Sequence, residues 1–326
     1  MHDLKFGIFL PTGDFAAAKK AALRAESEGF YSVSINDHFF TPLGPPQTPQ
    51  LESMTTLTAV AAVTERIRLV PTVVAASFRS PPMLAKITST LDQVSQGRLT
   101  LGLGAGWKQD EYEAHGYPYP SNAERLEQLA ETVQVLKAMW TQAEPTFAGR
   151  RFSIRKAYNN PRPVQQPHPP LMLGGSGSGL LKIAAAEADL LNIIPPIFNG
   201  KDFVNDPVMT VKFDTPYLKR RLDMLHGCLE AAGREPQDLE LSALLMVHLS
   251  RDPADPALAK TATRLGFPDV DTALRSPLLL MGTPDKAKHD LQTRIEELGF
   301  SYHIVIPASA ESHELFVKEV MPAFVG

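Results

Sequence analysis

Short apolar runs alternate with longer amphipathic segments along most of the chain. Each apolar run ends at glycine, proline or a polar cluster, a pattern that predicts a β-strand. Eight strands are predicted, over residues 4–10, 31–35, 67–75, 98–104, 170–175, 188–194, 239–250 and 302–307. Apolar residues at helical spacing predict helices over residues 16–28, 51–65, 80–96, 121–140, 179–187, 216–232, 284–298 and 310–322.

Continuously apolar strands are typical of a parallel sheet that helices cover on both faces. Eight strand–helix units are the number that closes such a sheet into a ring. The order of elements therefore predicts an α/β fold of the (β/α)8 barrel type. An open, doubly wound sheet is the alternative, but no feature of the sequence indicates the strand order that it requires.

Three connections are longer than a compact barrel needs. Residues 42–50 and 195–216 follow predicted strands, so they lie at the edge where barrel active sites form and could act as a lid or a substrate wall. Residues 158–170 form a proline-rich strap that precedes a strand. A polyproline tie across the opposite end of the barrel is one interpretation of this strap, and a functional loop is the other.

The composition limits the partners and the location of the protein. With 326 residues, 44% of them hydrophobic, the chain can bury one large core, and we expect residues 1–326 to form a single domain. The formal net charge of -4 and the scattered Lys and Arg side chains argue against a nucleic-acid partner.

No apolar run reaches the roughly 20 residues of a membrane span, and the N-terminal segment lacks the features of a signal peptide. We therefore expect a cytoplasmic protein with no membrane partner. Cys228 is the one cysteine, which excludes a disulfide within the chain, and we interpret it as an inert buried thiol on a helix.

Two glycine-rich turns follow predicted strands. Residues 102–107 read GLGAGW, and a dinucleotide-binding turn would need glycine where Trp107 stands. This turn could instead let a planar ring approach the backbone, or its small residues could simply fit a crowded barrel corner. Residues 174–179 read GGSGSG before a helix, whose N-terminal N–H groups suit a phosphate, and they lack the lysine of a P-loop.

Several segments together resemble the bacterial luciferase-like monooxygenase superfamily. They read RIRLVPTVV, FRSPPMLAKITSTLDQVSQGRLTLGLGAGWKQDEYEAHG, NAERLEQLAETVQVLKAMW and PHPPLMLGGSGSGLLKIAAAEADLL. Within the superfamily they are most similar to the branch that uses the deazaflavin coenzyme F420. The likeness is dense over residues 4–194, returns over residues 282–307 and is weak over residues 195–280, a variable region that is expected to shape the substrate pocket.

The resemblance implies a bacterial luciferase-like TIM barrel with insertions, a homodimeric assembly and a cofactor at the carboxyl ends of the strands. Asp37 and His38 match the acid–histidine pair of the family, in which His38 would move a substrate proton and Asp37 would orient it. Near Thr72 and Val73 the family has a bulge, often with a cis peptide bond, that supports the ring. No metal is expected. The cofactor-binding residues that the resemblance implies are Asp37, Thr72, Val73, Gly104, Ala105, Gly106, Trp107, Gly174, Gly175, Ser176 and Gly177.

One position departs from the family pattern. Deazaflavin sugar-phosphate dehydrogenases of the superfamily carry a proton-donating glutamate after the glycine turn, whereas this chain has Trp107. The departure argues against sugar-phosphate oxidation, and Glu111, one turn further on, cannot be assumed to substitute. Glu111 and His115 are interpreted as an exposed pair on one helix face, because a zinc site would need a third ligand.

Other aromatic and basic residues have less specific interpretations. Phe39, Phe40 and Trp107 could wall an apolar substrate pocket or could equally belong to the core. Three arginines are interpreted as structural or surface residues: Arg79, Arg98 and Arg125.

These observations favour an oxidoreductase that moves a hydride between F420 and a small organic substrate. The second hypothesis is an FMN-dependent monooxygenase served by a separate flavin reductase, since the AGW turn partly resembles the TGW turn of such members. A protein that binds the flavin or deazaflavin without turnover is a third hypothesis. A barrel isomerase of sugar phosphates is a fourth, and it rests on residues 174–179 alone.

Overall fold

The computed structural model describes residues 4–42, 44–195 and 211–325. The strands in these ranges are β1 (Lys5–Phe9), β2 (Ser32–Ile35), β3 (Arg68–Pro71), β4 (Val74–Ala75), β5 (Leu101–Gly104), β6 (Phe147–Ala148), β7 (Ser153–Ile154), β8 (Leu171–Gly174), β9 (Leu190–Ile193), β10 (Glu240–Leu249), β11 (Leu279–Gly282) and β12 (Tyr302–Pro307). The helices are α1 (Phe15–Ser27), α2 (Ser53–Ala61), α3 (Pro81–Val94), α4 (Gln109–Ala114), α5 (Asn122–Thr141), α6 (Ser178–Glu187), α7 (Thr215–Ala231), α8 (Pro256–Arg264), α9 (Val270–Leu274), α10 (Pro284–Leu298) and α11 (Ala310–Leu315).

The main sheet is parallel and closes into a barrel. Its strands pair in the order β3-β2-β1-β12-β10-β9-β8-β5-β4. The third barrel strand is divided, because β3 pairs with β2 and β4 pairs with β5, with a cis peptide bond between Thr72 and Val73 in the gap. A parallel bridge between Leu69 and Leu99 joins β3 to the start of the next strand and completes the ring. The predicted (β/α)8 barrel is confirmed, and each of its eight barrel strands corresponds to one predicted strand.

The structure adds elements that the hydrophobic pattern did not indicate. Strand β11 pairs with the second half of β10, beyond the part of β10 that pairs with β9. Strands β6 and β7 form a small antiparallel hairpin, and α4, α8 and α9 are short helices. The predicted C-terminal helix ends early, since α11 continues as a π-helical turn over Phe316–Val320.

The barrel interior is filled by side chains from four of the barrel strands, β3, β8, β9 and β12. Val70, Met172, Leu190, Tyr302 and Ile304 form one buried cluster there. The Tyr302 hydroxyl lies 2.5 Å from Ser32 Oγ, and burial raises the pKa of Tyr302 even though this hydrogen bond opposes the shift. The interior of the barrel is therefore a packed core rather than a channel.

A larger core lies between the barrel and its helices, and a smaller one stands apart from it. We call the smaller group the outer cluster. It is built by α8, α9 and β11, and it consists of Leu258, Ala262, Leu265, Phe267, Ala273, Leu279 and Met281. In the described ranges no helix is long and apolar enough to cross a membrane.

The proline-rich strap lies at the amino ends of the strands. Gln165 Nε2 donates to Asp92 Oδ1 and to Leu99 O, both at 2.7 Å. Arg68, the first residue of β3, donates to Gln165 Oε1 at 3.0 Å. These bonds connect α3 with the starts of two barrel strands, which confirms the interpretation of residues 158–170 as a structural tie.

A buried histidine on β12 makes stability depend on pH. His303 is 2% exposed between the rings of Phe6 and Phe300. Among the described residues neither of its ring nitrogens has a hydrogen-bond partner. Burial lowers the pKa of His303 from 6.5 to about 3, and the charge of Arg294 acts in the same direction. Its ring is therefore neutral in the fold.

We expect His303→Leu to reduce the loss of stability on acidification. Below about pH 6.5 the unfolded chain takes up a proton at His303 that the fold excludes, so stability falls as the pH falls toward the folded-state pKa. When the pH falls from about 7.5 to about 5, His303 should lower the free energy of unfolding of the wild type by about 2 kcal/mol. The leucine variant should not undergo this part of the loss. Urea unfolding at both pH values measures the difference. His289→Gln, at an exposed histidine of α10, should behave as wild type, and equal losses in wild type and His303→Leu would contradict the expectation.

Candidate active site

The predicted site residues lie at the carboxyl ends of four consecutive barrel strands. Asp37 and His38 follow β2, and Thr72 and Val73 separate β3 from β4. The turn over residues 104–107 follows β5, and the turn over residues 174–177 follows β8. Around the ring, β2 is followed by the divided strand of β3 and β4, then by β5 and then by β8. The structure therefore brings the four groups to one side of the barrel mouth.

Asp37 is the centre of a buried hydrogen-bond network. Its carboxylate accepts hydrogen bonds from both terminal nitrogens of Arg79, at 2.7 and 2.8 Å. It also accepts hydrogen bonds from Ser53 Oγ at 2.6 Å and from Ala75 N at 3.1 Å. Arg79 also pairs with Glu52, which caps the first turn of α2. Burial lowers the pKa of Arg79, but the carboxylates of Asp37 and Glu52 together outweigh this effect and hold the pKa above its usual value. Asp37 thereby joins the end of β2 to α2, β4 and the start of α3.

The carboxylate partner of His38 is Glu111, not its neighbour Asp37. His38 Nδ1 lies 2.7 Å from Glu111 Oε2. The other oxygen of Glu111 accepts the backbone N–H groups of Phe39 at 2.8 Å and Phe40 at 3.1 Å. Glu111 is 0% exposed, so the interpretation of Glu111 and His115 as an exposed helix pair is wrong for the glutamate. His115 is exposed, and its Nδ1 lies 2.9 Å from the backbone oxygen of Glu111.

The turn after β5 is held from outside by aromatic and basic side chains. Gly106 has a φ of 77°, and a Cβ there would overlap with the Tyr112 hydroxyl, so glycine is required. That hydroxyl lies 2.5 Å from Ser77 Oγ, and burial raises the pKa of Tyr112 to about 12. The Arg125 guanidinium donates to Gly106 O at 3.3 Å, a structural contact as predicted.

Val73 occupies the space that two glycines leave at the barrel mouth. A Cβ on Gly104 would lie 2.7 Å from Val73 Cγ2, and one on Gly174 would lie 2.9 Å from Val73 Cγ1. The glycines of β5 and β8 therefore let the residue after the cis peptide bond reach between their strands. Val73 itself remains half-buried, and Thr72 is buried. The cis bond lies where the resemblance places it.

The turn after β8 leads into the N-terminus of α6. Gly175 has a φ of 146°, and Ser176 is buried with its hydroxyl donating to Ile194 O at 2.7 Å. Gly177 is the N-cap of α6, and no side chain of the described residues caps this end of the helix. Within the described ranges no atom lies within 4 Å of the position that a Cβ on Gly177 would take. The first N–H groups of α6 are thus left for an anion, and the exposed glycine leaves room for one.

A groove of about 840 Å³ runs between α2 and α3 and reaches Asp37 and His38. Phe39, Phe78 and Tyr117 line the same groove, so the aromatic residue Phe39 forms a wall rather than core. His38 also contacts Trp107, with 5.5 Å between ring centroids. The groove is not lined by the turns after β5 and β8. His38 is therefore the predicted residue that both lines the groove and touches the glycine turn.

Three other sequence interpretations have clear outcomes. Arg98 donates to the backbone oxygens of Ser95, Ile67, Ala61 and Thr64, which confirms a structural role. Cys228 is half-buried against the main core rather than fully buried. Residues 196–210, most of the long connection after β9, lie outside the described residues.

Comparison with known proteins identifies the family. A family model described as luciferase-like monooxygenase matches residues 4–201. An uncharacterised protein of Mycobacterium tuberculosis is 30% identical over 314 residues, which cover 90% of this chain and 97% of the relative. The F420-dependent glucose-6-phosphate dehydrogenase of Kineococcus radiotolerans is 30% identical over 254 residues, covering 77% of this chain and 70% of that enzyme.

A flavin enzyme and a solved structure extend the comparison. The FMNH2-dependent dimethylsulfone monooxygenase of Pseudomonas putida is 30% identical over 171 residues, 52% of this chain and 46% of that enzyme. The structure of an F420-dependent secondary alcohol dehydrogenase with an F420–acetone adduct has a TM-score of 0.81, with 20% identity and complete coverage of both chains. At that identity the likeness establishes the shared fold.

Proposed function

This chain belongs to the luciferase-like monooxygenase family, and from that premise we propose that it is an oxidoreductase that transfers a hydride between coenzyme F420 and a small organic substrate. The observation that carries the proposal is the position of its site residues at four consecutive strand ends. The F420-dependent relative also spans more of this chain, 77%, than the FMN-dependent relative, which spans 52%.

The residues at the barrel mouth fit a cofactor with a planar ring and a phosphate. Val73, between Gly104 and Gly174, offers a smooth apolar surface for one face of the ring. The uncapped N-terminus of α6, with Gly175, Ser176 and Gly177, suits the phosphate, because backbone N–H groups and the helix dipole both favour an anion there. We assign the phosphate side of the cofactor to this turn, and the ring side to Val73 and the turn over residues 104–107.

The chemistry is divided between the cofactor and the protein. When bound, the deazaflavin ring donates or accepts the hydride. His38 holds or releases the substrate proton, because its imidazole lies in the groove beside Trp107. Phe39 forms part of the wall of this groove, and Trp107 packs against the His38 ring. The variable region over residues 195–280 is proposed to complete the substrate pocket.

Cofactor titration tests the proposal. The full-length apoprotein is titrated separately with F420 and with FMN, and fluorescence quenching gives the two dissociation constants. We expect tight binding of F420 and weaker binding of FMN. Tight FMN binding without F420 binding would replace the proposal by the FMN-dependent monooxygenase, which Trp107 and the AGW turn favour, and which would require a reductase partner.

Gly177→Val is expected to weaken cofactor binding by at least about tenfold, the loss of one good polar contact. The valine has room among the described residues, since none of them lies within 4 Å of its Cβ, but it would occupy the space in front of the α6 N–H groups. The dissociation constant and the melting temperature are measured together. Gly227→Ala, at an open position on α7, is the control: it should leave the dissociation constant unchanged and raise the melting temperature slightly, because alanine favours the helix more than glycine does. Unchanged affinity in Gly177→Val would place the phosphate elsewhere.

A further inference from the structure

Glu111 organises the segment that carries His38. Its two oxygens make three hydrogen bonds to consecutive residues, one to the His38 ring and two to the backbone N–H groups of Phe39 and Phe40. Glu111 is buried and stands at the start of α4, 73 positions from His38 along the chain. A single side chain thus sets both the ring orientation and the path of the backbone that follows it.

The donor count around Glu111 fixes which nitrogen of His38 carries the proton. A carboxylate offers only acceptors, so the short contact with Oε2 requires Nδ1 of His38 to donate. In neutral imidazole the proton on Nδ1 leaves Nε2 as an acceptor. Among the described residues Nε2 makes no hydrogen bond, and the ring lines the groove.

We propose that Glu111 is a positioning residue that holds His38 in the tautomer with Nδ1 protonated and so presents Nε2 as the proton-handling atom. The catalytic part of this inference rests on the proposed function; the tautomer does not. When the substrate is oxidised, its hydroxyl proton passes to Nε2 as the hydride leaves carbon for the ring. Glu111 then faces the imidazolium that forms, and the reverse direction returns the proton from Nε2.

Glu111→Gln is designed to reverse the tautomer without removing the backbone contacts. The amide oxygen of glutamine satisfies the N–H groups of Phe39 and Phe40, which have to be paired. Its NH2 group then faces Nδ1, which becomes an acceptor, and the proton moves to Nε2. Glu113→Gln on the same helix is the matched control, because Glu113 is exposed and accepts only from Gln109 among the described residues.

The 15N chemical shifts of histidine-labelled protein at about pH 8, where imidazole is neutral, report the tautomer directly. The His38 signals are assigned by their absence in His38→Asn. We expect protonated Nδ1 and bare Nε2 in wild type and in Glu113→Gln, and the opposite in Glu111→Gln. Protonated Nε2 in wild type would overturn the proposal, even if Glu111→Gln fails to fold.

Turnover separates this inference from the proposed function. When turnover of an identified substrate is measured, Glu111→Gln should lower kcat by about 10²-fold, toward the level of His38→Ala. Cofactor affinity should change little. Unchanged tautomers in Glu111→Gln would refute the role of Glu111. A reversed tautomer with wild-type turnover would leave Glu111 as the residue that sets the tautomer and would remove His38 from the proposed mechanism.

Discussion

Substituting Arg79 with methionine is expected to lower the free energy of unfolding by about 3–5 kcal/mol, the cost of removing one partner of a buried ion pair. Asp37 is 6% exposed and would keep only two of the four hydrogen bonds that its carboxylate accepts. The remaining charge would have no cation beside it in a site that water hardly reaches. Urea unfolding of wild type and variant measures the loss.

The double variant Asp37→Asn/Arg79→Met provides the internal control. Neutralising Asp37 removes the stranded charge, so the double variant should be more stable than Arg79→Met alone. With Asp37→Asn measured as the second single variant, the double-mutant cycle gives the coupling between the residues. Arg150→Met is the surface control, because Arg150 is 79% exposed in its pair with Glu127 and should lose less than about 1 kcal/mol. A loss of that small size at Arg79 would mean that the Asp37 network contributes little to the fold.

Substituting His38 with alanine is expected to lower kcat by about 10²–10⁴-fold, the usual contribution of a general acid or base. Cofactor affinity should be nearly unchanged, because the ring and phosphate contacts that we propose lie between β3 and β4, after β5 and after β8. Single-turnover measurement should locate the deficit in the hydride step, to which proton transfer is coupled.

A structural role for His38 gives a different result. The variant would then lose stability, while the folded fraction would turn over at nearly the wild-type rate. His226→Ala, at an exposed position on α7, is the control for the loss of an imidazole and should match wild type in both measurements. The removal of the His38 ring also leaves Oε2 of Glu111 without its partner, so a modest loss of stability accompanies either outcome.

The barrel could be predicted because its strands are apolar on both sides and end at turn residues. The predicted strands omit β11, a short apolar run between Pro277 and Gly282, because so short a run does not distinguish a strand from a buried helical segment. The division of the third strand at Thr72 and Val73 came from family resemblance rather than from the pattern, since the residues around the gap are uniformly apolar.

The candidate site, like the fold, was predicted only where a local sequence pattern marks it. The glycine turns and His38 are marked locally, by composition or by position after a strand. Glu111 carries no such mark, because it sits in a polar stretch beside other acidic residues and its partner lies on another strand end. Only the closed barrel brings α4 against the segment after β2. The sequence therefore predicted the adjacent Asp37 as the carboxylate that orients His38, whereas in the structure that partner is Glu111.

The outer cluster has a consequence for how this chain can diverge. Its side chains come from α8, α9 and β11 and pack mainly with one another, with Met246 of β10 as a point of contact. None of these seven side chains belongs to the main core, so substitutions among them can leave the packing of the barrel unchanged as long as β11 keeps its place, since Leu280 of β11 lies in the main core. The segment after β10 can therefore accept substitutions in the outer cluster that the barrel strands cannot, and it overlaps the range over which likeness to the family is weak.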